Sequence, residues 1–376
     1  QVNQKQAVIE KEGIILEGLT VKNSTGDTEL KAGEDYSAAF DSTTGFLTIT
    51  MLAGGKGAAA TAIKVSGKVI DPSKVTKEDV IGAVDPSTGA ETGAQVIRQV
   101  YPRLGIVPGL ILAPGWSQIP EVGLALAAKA AKINGVYSAM ALLDLDTAKA
   151  KKYTDTKSVK EESGYTSPFC YPLWPCDRVG EYILAKSAVA GAMIQYMASD
   201  NEDVPNQSPS NHLLGVGGQC LEDGTEVYLD QDQANTVNGY GVTTAINQNG
   251  YRLWGNYTGA YPASSDAKDI WFAVRRMFSW QGNNFIQTYF DEVDDPMNNV
   301  LVQSVVDSEN IRCSAYAPKY WAGASIEYKS DDNPKTAILA GTMKFRQHIA
   351  PYTPAQEIVD IIDYDTDTLA AAVGGN

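Results

Sequence analysis

Hydrophobic residues follow three different rhythms along this chain of 376 residues. Up to about residue 90 they alternate with polar ones, the period of a half-buried β-strand. In "GFLTITML", Leu47, Ile49 and Met51 alternate with Phe46, Thr48 and Thr50, and "STTG" joins this run to "EDYSAAFD" as a hairpin. "GIILEGLTV" predicts a first strand and "AAATAIKVSGKVI" another, which makes a small sandwich of short antiparallel strands. The polar, glycine-rich "DPSTGAETGAQ" (85–95) reads as a linker or extended loop.

Beyond it the apolar residues come in unbroken runs: "GLILAP" (109–114), "YSAMALLDLD" (137–146) and "SPFCYPLW" (167–174). Helical stretches go with them, the Ala-rich "PEVGLALAAKAAKI" and the long "RVGEYILAKSAVAGAMIQYM". Asp177 is the predicted cap of the latter, whose Val189, Met193 and Met197 share a face. "GVTTAINQNGYRLWGNYT" adds two strand-like segments. Continuous apolar strands alternating with helices imply a parallel sheet covered on both faces.

From about residue 262 the rhythm changes again. Ser265 or Asp266 starts a helix with an apolar stripe of Ile270, Val274 and Met277 or Phe278, which "QGNN" (281–284) is predicted to break before "FIQTYFDEV" resumes. "NNVLVQSVVDSENIR" reads as a further helix, "GTMKFRQHIAP" and "QEIVDIIDYD" as strands, and "TLAAAVGGN" as a small, flexible tail. The fold class is multidomain, α/β and α+β after an all-β start.

Composition narrows the function classes. A formal charge of −15 disfavours nonspecific nucleic-acid binding, because a phosphate backbone repels the average surface. No run approaches the ~18 apolar residues of a membrane span, so no insertion is expected. "QVNQKQAVIEKEG" is too polar for a signal peptide, and the missing initiator Met points to a fragment or a processed form. Cys170, Cys176, Cys220 and Cys313 make neither a CxxC pair nor a disulfide framework and read as buried thiols in a reducing cytoplasm.

Catalytic and cofactor signatures are sparse. G-x-S-x-G is absent. The two histidines, His212 in "SPSNHLLGVGG" and His348 in "MKFRQHIAP", read as loop and strand positions and not as general bases or metal ligands. "GGKGAAAT" (54–61) fails the order of a phosphate loop and reads as a hairpin loop; "GVGGQ" (215–219) reads as a turn. Asp144 and Asp146 end an apolar strand where α/β enzymes often place acids, yet a solvated strand terminus is the simpler reading. "DEVDD" (291–295) is wet surface. No catalytic, metal or cofactor site is expected.

Four segments in order, "YPRLGIVPGLILAPGWSQIPEV", "INGVYSAMALLDLDT", "GYRLWGNYT" and "AGTMKFRQHIAPYTPAQEIVDIIDYD", resemble the tail sheath protein of contractile-tailed bacteriophages and their prophage or bacteriocin relatives. The resemblance covers nearly the whole chain. It implies an N-terminal β-sandwich (1–88), a subtilisin-like α/β domain without protease activity (89–260) and a C-terminal α+β domain with a terminal arm (261–376). Breaks near 90 and 260 also follow from the changes of rhythm. Asp144 falls near the place of a subtilisin acid, but no histidine or serine partner can be named. The sheath family's extended N-terminal arm is not seen at "QVNQ", which puts a lattice contact in doubt.

The resemblance further implies a non-enzymatic structural subunit that polymerises helically around a tail tube and contracts to drive it through a bacterial envelope. Its expected partners are itself, the tail tube protein, and baseplate and tail terminator proteins; its expected place is the virion tail, after assembly in the host cytoplasm. Ile358, Ile361 and Tyr364 of "QEIVDIIDYD" are candidates for an inter-subunit arm strand, against an internal edge strand of the same domain. Lys268, Arg275 and Arg276 of "SDAKDIWFAVRRMFSW" are candidates for a tube-facing helix, against plain solvation. Tyr251, Trp254 and Tyr257 are expected to pack a domain junction. Other readings are a divergent hydrolase on the central domain and a non-contractile structural protein.

Overall fold

The computed structural model describes residues 1–374 and divides into two compact units, Gln1–Thr76 and the residues from Lys77 on. In the first, β1 (Gln6–Ile9), β5 (Leu47–Met51) and β4 (Tyr36–Phe40) form one antiparallel sheet, and β3 (Glu29–Leu30), β2 (Ile14–Asn23) and β6 (Ile63–Val69) form another. The alternation in β5 fixes its two faces: Leu47, Ile49 and Met51 are buried, while Thr48 and Thr50 are half-exposed. The buried trio packs with Tyr36 and with Val21 and Leu30 of the other sheet in one cluster. Asp35, buried beside it, accepts from the backbone N–H groups of Lys31 (2.9 Å) and Lys56 (2.7 Å) and so shapes the "GGKGAAAT" loop. Strand β1 was not expected from the sequence; its four residues are too few for a periodic signal.

The second unit begins earlier than the change of rhythm near residue 88. Helix α1 (Lys77–Ile81) turns Val80 and Ile81 onto the large core of that unit, and apolar burial decides membership. After α2 (Val100–Leu104) come the parallel strands β7 (Leu110–Leu112), β8 (Met140–Asp144) and β9 (Cys170–Leu173), with Leu112 beside Leu142 and Leu142 beside Tyr171. Backbone bonds from Trp174 N–H to the Thr243 carbonyl and from Thr243 N–H to the Pro172 carbonyl, both 2.9 Å, carry the sheet one strand further.

Every residue of β8 is buried. On one face Ala141 and Leu143 meet Val122, Leu126 and Ala130 of α3 (Pro120–Ala131). On the other, Met140 and Leu142 meet Ala190 and Ile194 of α5 (Lys186–Asp200) and the ring of Phe272. The unbroken apolar runs thus mark a strand covered twice. Helix α4 (Thr156–Ser163) closes the α3 side, and Lys160 donates its ammonium to the carbonyl of Tyr240 (2.9 Å) and to that of Tyr261.

The single long helix expected from residue 178 is not formed. Strands β10 (Cys176–Val179) and β11 (Tyr182–Leu184) make a hairpin around Gly180, φ +60°, and β12 (Gly218–Cys220) pairs with β10 on its other side. β-Branched and aromatic residues flanking a glycine suit a hairpin better than a first helical turn. Asp177 is consequently no cap: it lies fully buried, ion-paired with Lys186. The buried face of α5 is Ala190, Gly191, Ile194 and Ala198, with Val189, Met193 and Met197 flanking it half-buried.

Helix α6 (Gln231–Gly239) precedes the hairpin of β13 (Thr244–Asn247) and β14 (Tyr251–Trp254). Asp266 caps the short α7 (Ala267–Ile270) through Lys268 N–H at 2.9 Å. Helix α8 (Phe272–Thr288) then runs through "QGNN" without a break. Tertiary bonds there outweigh the glycine: Asn283 takes the N–H of Ser138 (2.9 Å) and donates to its carbonyl (2.8 Å). Helix α9 (Asn299–Tyr316) covers the antiparallel pair β15 (Trp321–Glu327) and β16 (Arg346–Pro351), with α10 (Lys335–Leu339) between the strands in sequence. Met277, Cys313, Tyr320 and Trp321 form the cluster beneath.

"QEIVDIIDYD" forms no strand within the chain, having no neighbour to pair with. Part of the expected flexible tail is helical, α11 (Thr366–Ala372), which Asp365 caps; Gly375 and Asn376 of that tail lie outside the described residues.

Candidate functional site

The interior of the second unit holds the most concentrated polar chemistry. Asp144, at the end of β8, is buried and not solvated. Its Oδ1 accepts from the backbone N–H of Ser187 (2.8 Å), at the start of α5, and its Oδ2 accepts from the hydroxyls of Ser187 (2.5 Å) and Ser117 (3.0 Å). Its own N–H donates to Ser117 Oγ (3.0 Å), and the Tyr165 hydroxyl donates to the Ser117 carbonyl. Burial pushes the Asp144 carboxyl up, while the Ser187 and Ser117 hydrogen bonds oppose that shift. The carboxylate sits at a helix N-terminus, which favours negative charge, and ties strand to helix. Asp146 stays half-buried at the strand's end.

Beside this knot Lys186 and Asp177 form an ion pair with both side chains fully buried. The knot and the pair are invisible in the pattern of the sequence; the signal present was an acid closing an apolar run, with "KS" opening a helix. Neither histidine bonds to them. His212 lies on a loop whose carbonyl accepts from Leu253 N–H (3.0 Å), and burial with nearby Arg252 pushes its imidazole down. His348 stands on β16, 3.0 Å from Glu327. Both serines donate into the same carboxylate, an arrangement that joins elements. No cluster of three metal-ligating side chains, and no helix long and apolar enough to cross a membrane, occurs among the described residues.

The three candidate tube-facing cations are not equivalent. Lys268 is 42% exposed, 3.8 Å from Asp266 and 4.0 Å from Asp269. Arg275 turns inward: its side chain is 15% exposed, bonded to Asp269 (3.2 Å), with the guanidinium 4.7 Å from the Phe169 ring. Arg276 lies over the Phe272 ring (5.6 Å) and lines a cavity with Ile194, Met197 and Val204. Arg275 and Arg276 are therefore not free surface charges; the rings of Phe169 and of Phe272, on α8 itself, hold them.

Tyr251, Trp254 and Tyr257 sit where the β13–β14 hairpin leads into α7. Tyr251 is buried, and Trp254 donates its indole N–H to Asn235 on α6 (2.9 Å). Tyr257 stacks on Tyr261 (centroids 3.8 Å, 5°) and on Trp271 (4.8 Å, 23°), and its hydroxyl donates to Gln356 (2.6 Å). Gly255 between them has φ +154°, and a Cβ there would stand 2.5 Å from Thr243 Oγ1, so only glycine fits.

After Gln356 the chain leaves the body. Tyr352 is tied to the Pro318 carbonyl (2.9 Å), but Ile358 is 89% exposed, Ile361 80% and Tyr364 75%, with Val359 and Ile362 equally bare. Glu357, Asp360 and Asp363 punctuate the run. Each such side chain forgoes roughly 1.5–3 kcal/mol of burial. Contiguous exposed apolar surface is uncommon on a folded unit and is frequent at interaction sites. The β15–β16 sheet has two strands, so each keeps one unpaired edge.

No family model matches the chain. It is 27% identical over 375 residues to the tail sheath protein of Burkholderia phage BcepMu, covering 95% of this chain and 76% of that protein. It is 24% identical over 294 residues to the tail sheath protein of Escherichia phage P2, covering 75% and 69%. The chain is related to phage tail sheath proteins. Its fold is that of the contracted sheath of the PVC extracellular contractile injection system, at 17% identity and a TM-score of 0.59 over 74% of this chain and 76% of that one. The exposed segment and the buried knot differ in one respect: the first leaves apolar side chains uncovered, and the second ties strand β8 to helix α5 inside the unit.

Proposed function

We propose that the chain is the structural subunit of a contractile tail sheath, polymerising helically around a tail tube and contracting to drive the tube through a bacterial envelope. The observation that carries the reading is the 27% identity to a tail sheath protein across 95% of the chain. Heterologous contacts that do not close into a ring generate a helical assembly. Contraction then exchanges one set of subunit contacts for a better one, a bistable switch of the lattice with no bond made or broken. About 1 kcal/mol gained per subunit, small beside folding energies, becomes large when every copy in a tube contributes it.

The segment that holds Ile358, Ile361 and Tyr364 is the arm, adding a strand to the sheet of a neighbouring subunit. Its support is exposure: apolar side chains and unpaired backbone on an otherwise packed unit. Tyr251, Trp254 and Tyr257 form the junction between a central part (89–260), of subtilisin-like topology, and a C-terminal part (261–376), with the sheets before residue 88 as an N-terminal sandwich. The α7–α8 segment faces the tube, and of its three cations Lys268 is the one exposed to do so. Tail tube, baseplate and terminator proteins are the further partners, in a particle assembled in the host cytoplasm.

Negative-stain electron microscopy of the full chain tests the reading. Hollow tubes of uniform diameter are the expected product. A species that stays monomeric when tube and baseplate proteins are supplied, or a turnover reaction that depends on Asp144, overturns it.

A further inference from the structure

The four cysteines are far apart in sequence, but the antiparallel pairing of β10 with β12 sets Cys176 directly opposite Cys220. Residues so opposed have Cα atoms about 4.5–5.5 Å apart and side chains on the same face, and disulfides bridge Cα separations of about 4.4–6.8 Å. Both are thiols in this structure, Cys176 half-buried and Cys220 fully buried.

We propose that Cys176 and Cys220 are a reversible disulfide pair, closed by exchange with a low-molecular-weight disulfide such as oxidised glutathione. Cys176, the more accessible, loses its proton and attacks one sulfur of the external disulfide; that S–S bond breaks, and the other half leaves as a thiolate. Cys220, deprotonated in turn, attacks the Cys176 sulfur of the mixed disulfide and expels the second external thiolate. Two protein thiols are oxidised to one disulfide, one external disulfide is reduced to two thiols, and the two protons lost by the protein are taken up by those thiolates.

The closed bond would tie β10 to β12 and enclose the β10–β11 hairpin and α5 in one covalent loop. It would thereby clamp the strand whose Asp177 faces Lys186. The surroundings set the pace. Burial pushes the Cys176 thiol up to about 12, and the Cys220 thiol up as well, with Arg178 beside Cys220 opposing. Exchange is therefore slow at neutral pH and quickens with alkali, because the thiolate is the attacking species. Cys170 and Cys313 are buried in separate clusters of the core, and no cysteine opposes them across a strand pair.

The test uses the full chain in its folded state, held with oxidised glutathione at mildly alkaline pH, alkylated, and mapped by mass spectrometry without reduction. Two of the four thiols disappear into one cross-linked peptide joining Cys176 to Cys220, and the melting temperature rises relative to the alkylated, reduced protein. Cys220→Ala stops at a glutathione adduct on Cys176, while Cys176→Ala leaves Cys220 a free thiol. Four alkylated thiols after this treatment, an unresolved adduct on wild-type Cys176, or a link to another cysteine or another chain overturns the proposal.

Discussion

The start of α5 and the segment after Gln356 are opposites. Around Asp144 and Lys186 the polar groups lie inside and are largely matched with one another, through two serine hydroxyls, a backbone N–H and an ion pair, with Asp177 Oδ2 left without a hydrogen-bond partner. After Gln356 the apolar groups lie outside and are matched with nothing in the chain. Burying these side chains would stabilise a chain that stood alone, yet Ile358, Ile361 and Ile362 all stay outside. The difference teaches that one region satisfies nearly all of its groups within a single copy, whereas the other leaves its apolar surface uncovered, which is what supports the arm proposed above.

The comparison breaks most readily at the tail. Ile358→Asp combined with Ile361→Asp should abolish tubes in electron micrographs while changing the unfolding free energy of the monomer by no more than about 0.5 kcal/mol, as for ordinary surface substitutions. A large loss of monomer stability would mean that the segment belongs to its own core. Next in size is Lys186→Ala, which leaves Asp177 a buried unpaired charge and should cost about 3–5 kcal/mol in urea denaturation, with Asp177→Leu added to Lys186→Met recovering most of it. Gly123→Ala should cost about 1–3 kcal/mol by overpacking, since a Cβ there would stand 2.0 Å from the Tyr165 hydroxyl oxygen.

Smallest is Asp144→Asn, which keeps an acceptor for Ser187 N–H. Because burial raises the folded-state pKa of Asp144 above its ordinary 3.8, its contribution is fully present below that value and is lost as pH rises through the folded pKa. The asparagine variant should therefore show a flatter dependence of stability on pH above about 4, read from denaturation midpoints; an unchanged slope would put the titration elsewhere.

Much of the fold was legible because burial leaves a period. Leu47, Ile49 and Met51 announced a strand with one wet face, and "MALLD" announced one with none. What was not legible depended on distant partners. Residues 178–185 have an apolar content that serves helix or hairpin alike, and Gly180 decided for the hairpin. Gly282 was read as a breaker, yet Asn283 is bonded to Ser138, which is remote in sequence, and the helix runs on. At the candidate site, Ile358, Ile361 and Tyr364 were visible as an apolar stretch, and Phe272 stands one helical turn before Arg276, whereas nothing local signals that Phe169 draws Arg275 away from solvent.

The hydrogen bond from Tyr257 to Gln356 works as the fixed end of a tether. From Glu357 to Tyr364 the chain, fully stretched, reaches about 26–29 Å at roughly 3.3–3.6 Å per residue. Were the segment the arm proposed above, two subunits linked through it would have a ceiling on how far one can travel from the other. A lattice that shortened would slacken it freely, but one that lengthened beyond the ceiling would first have to unhook a tyrosine.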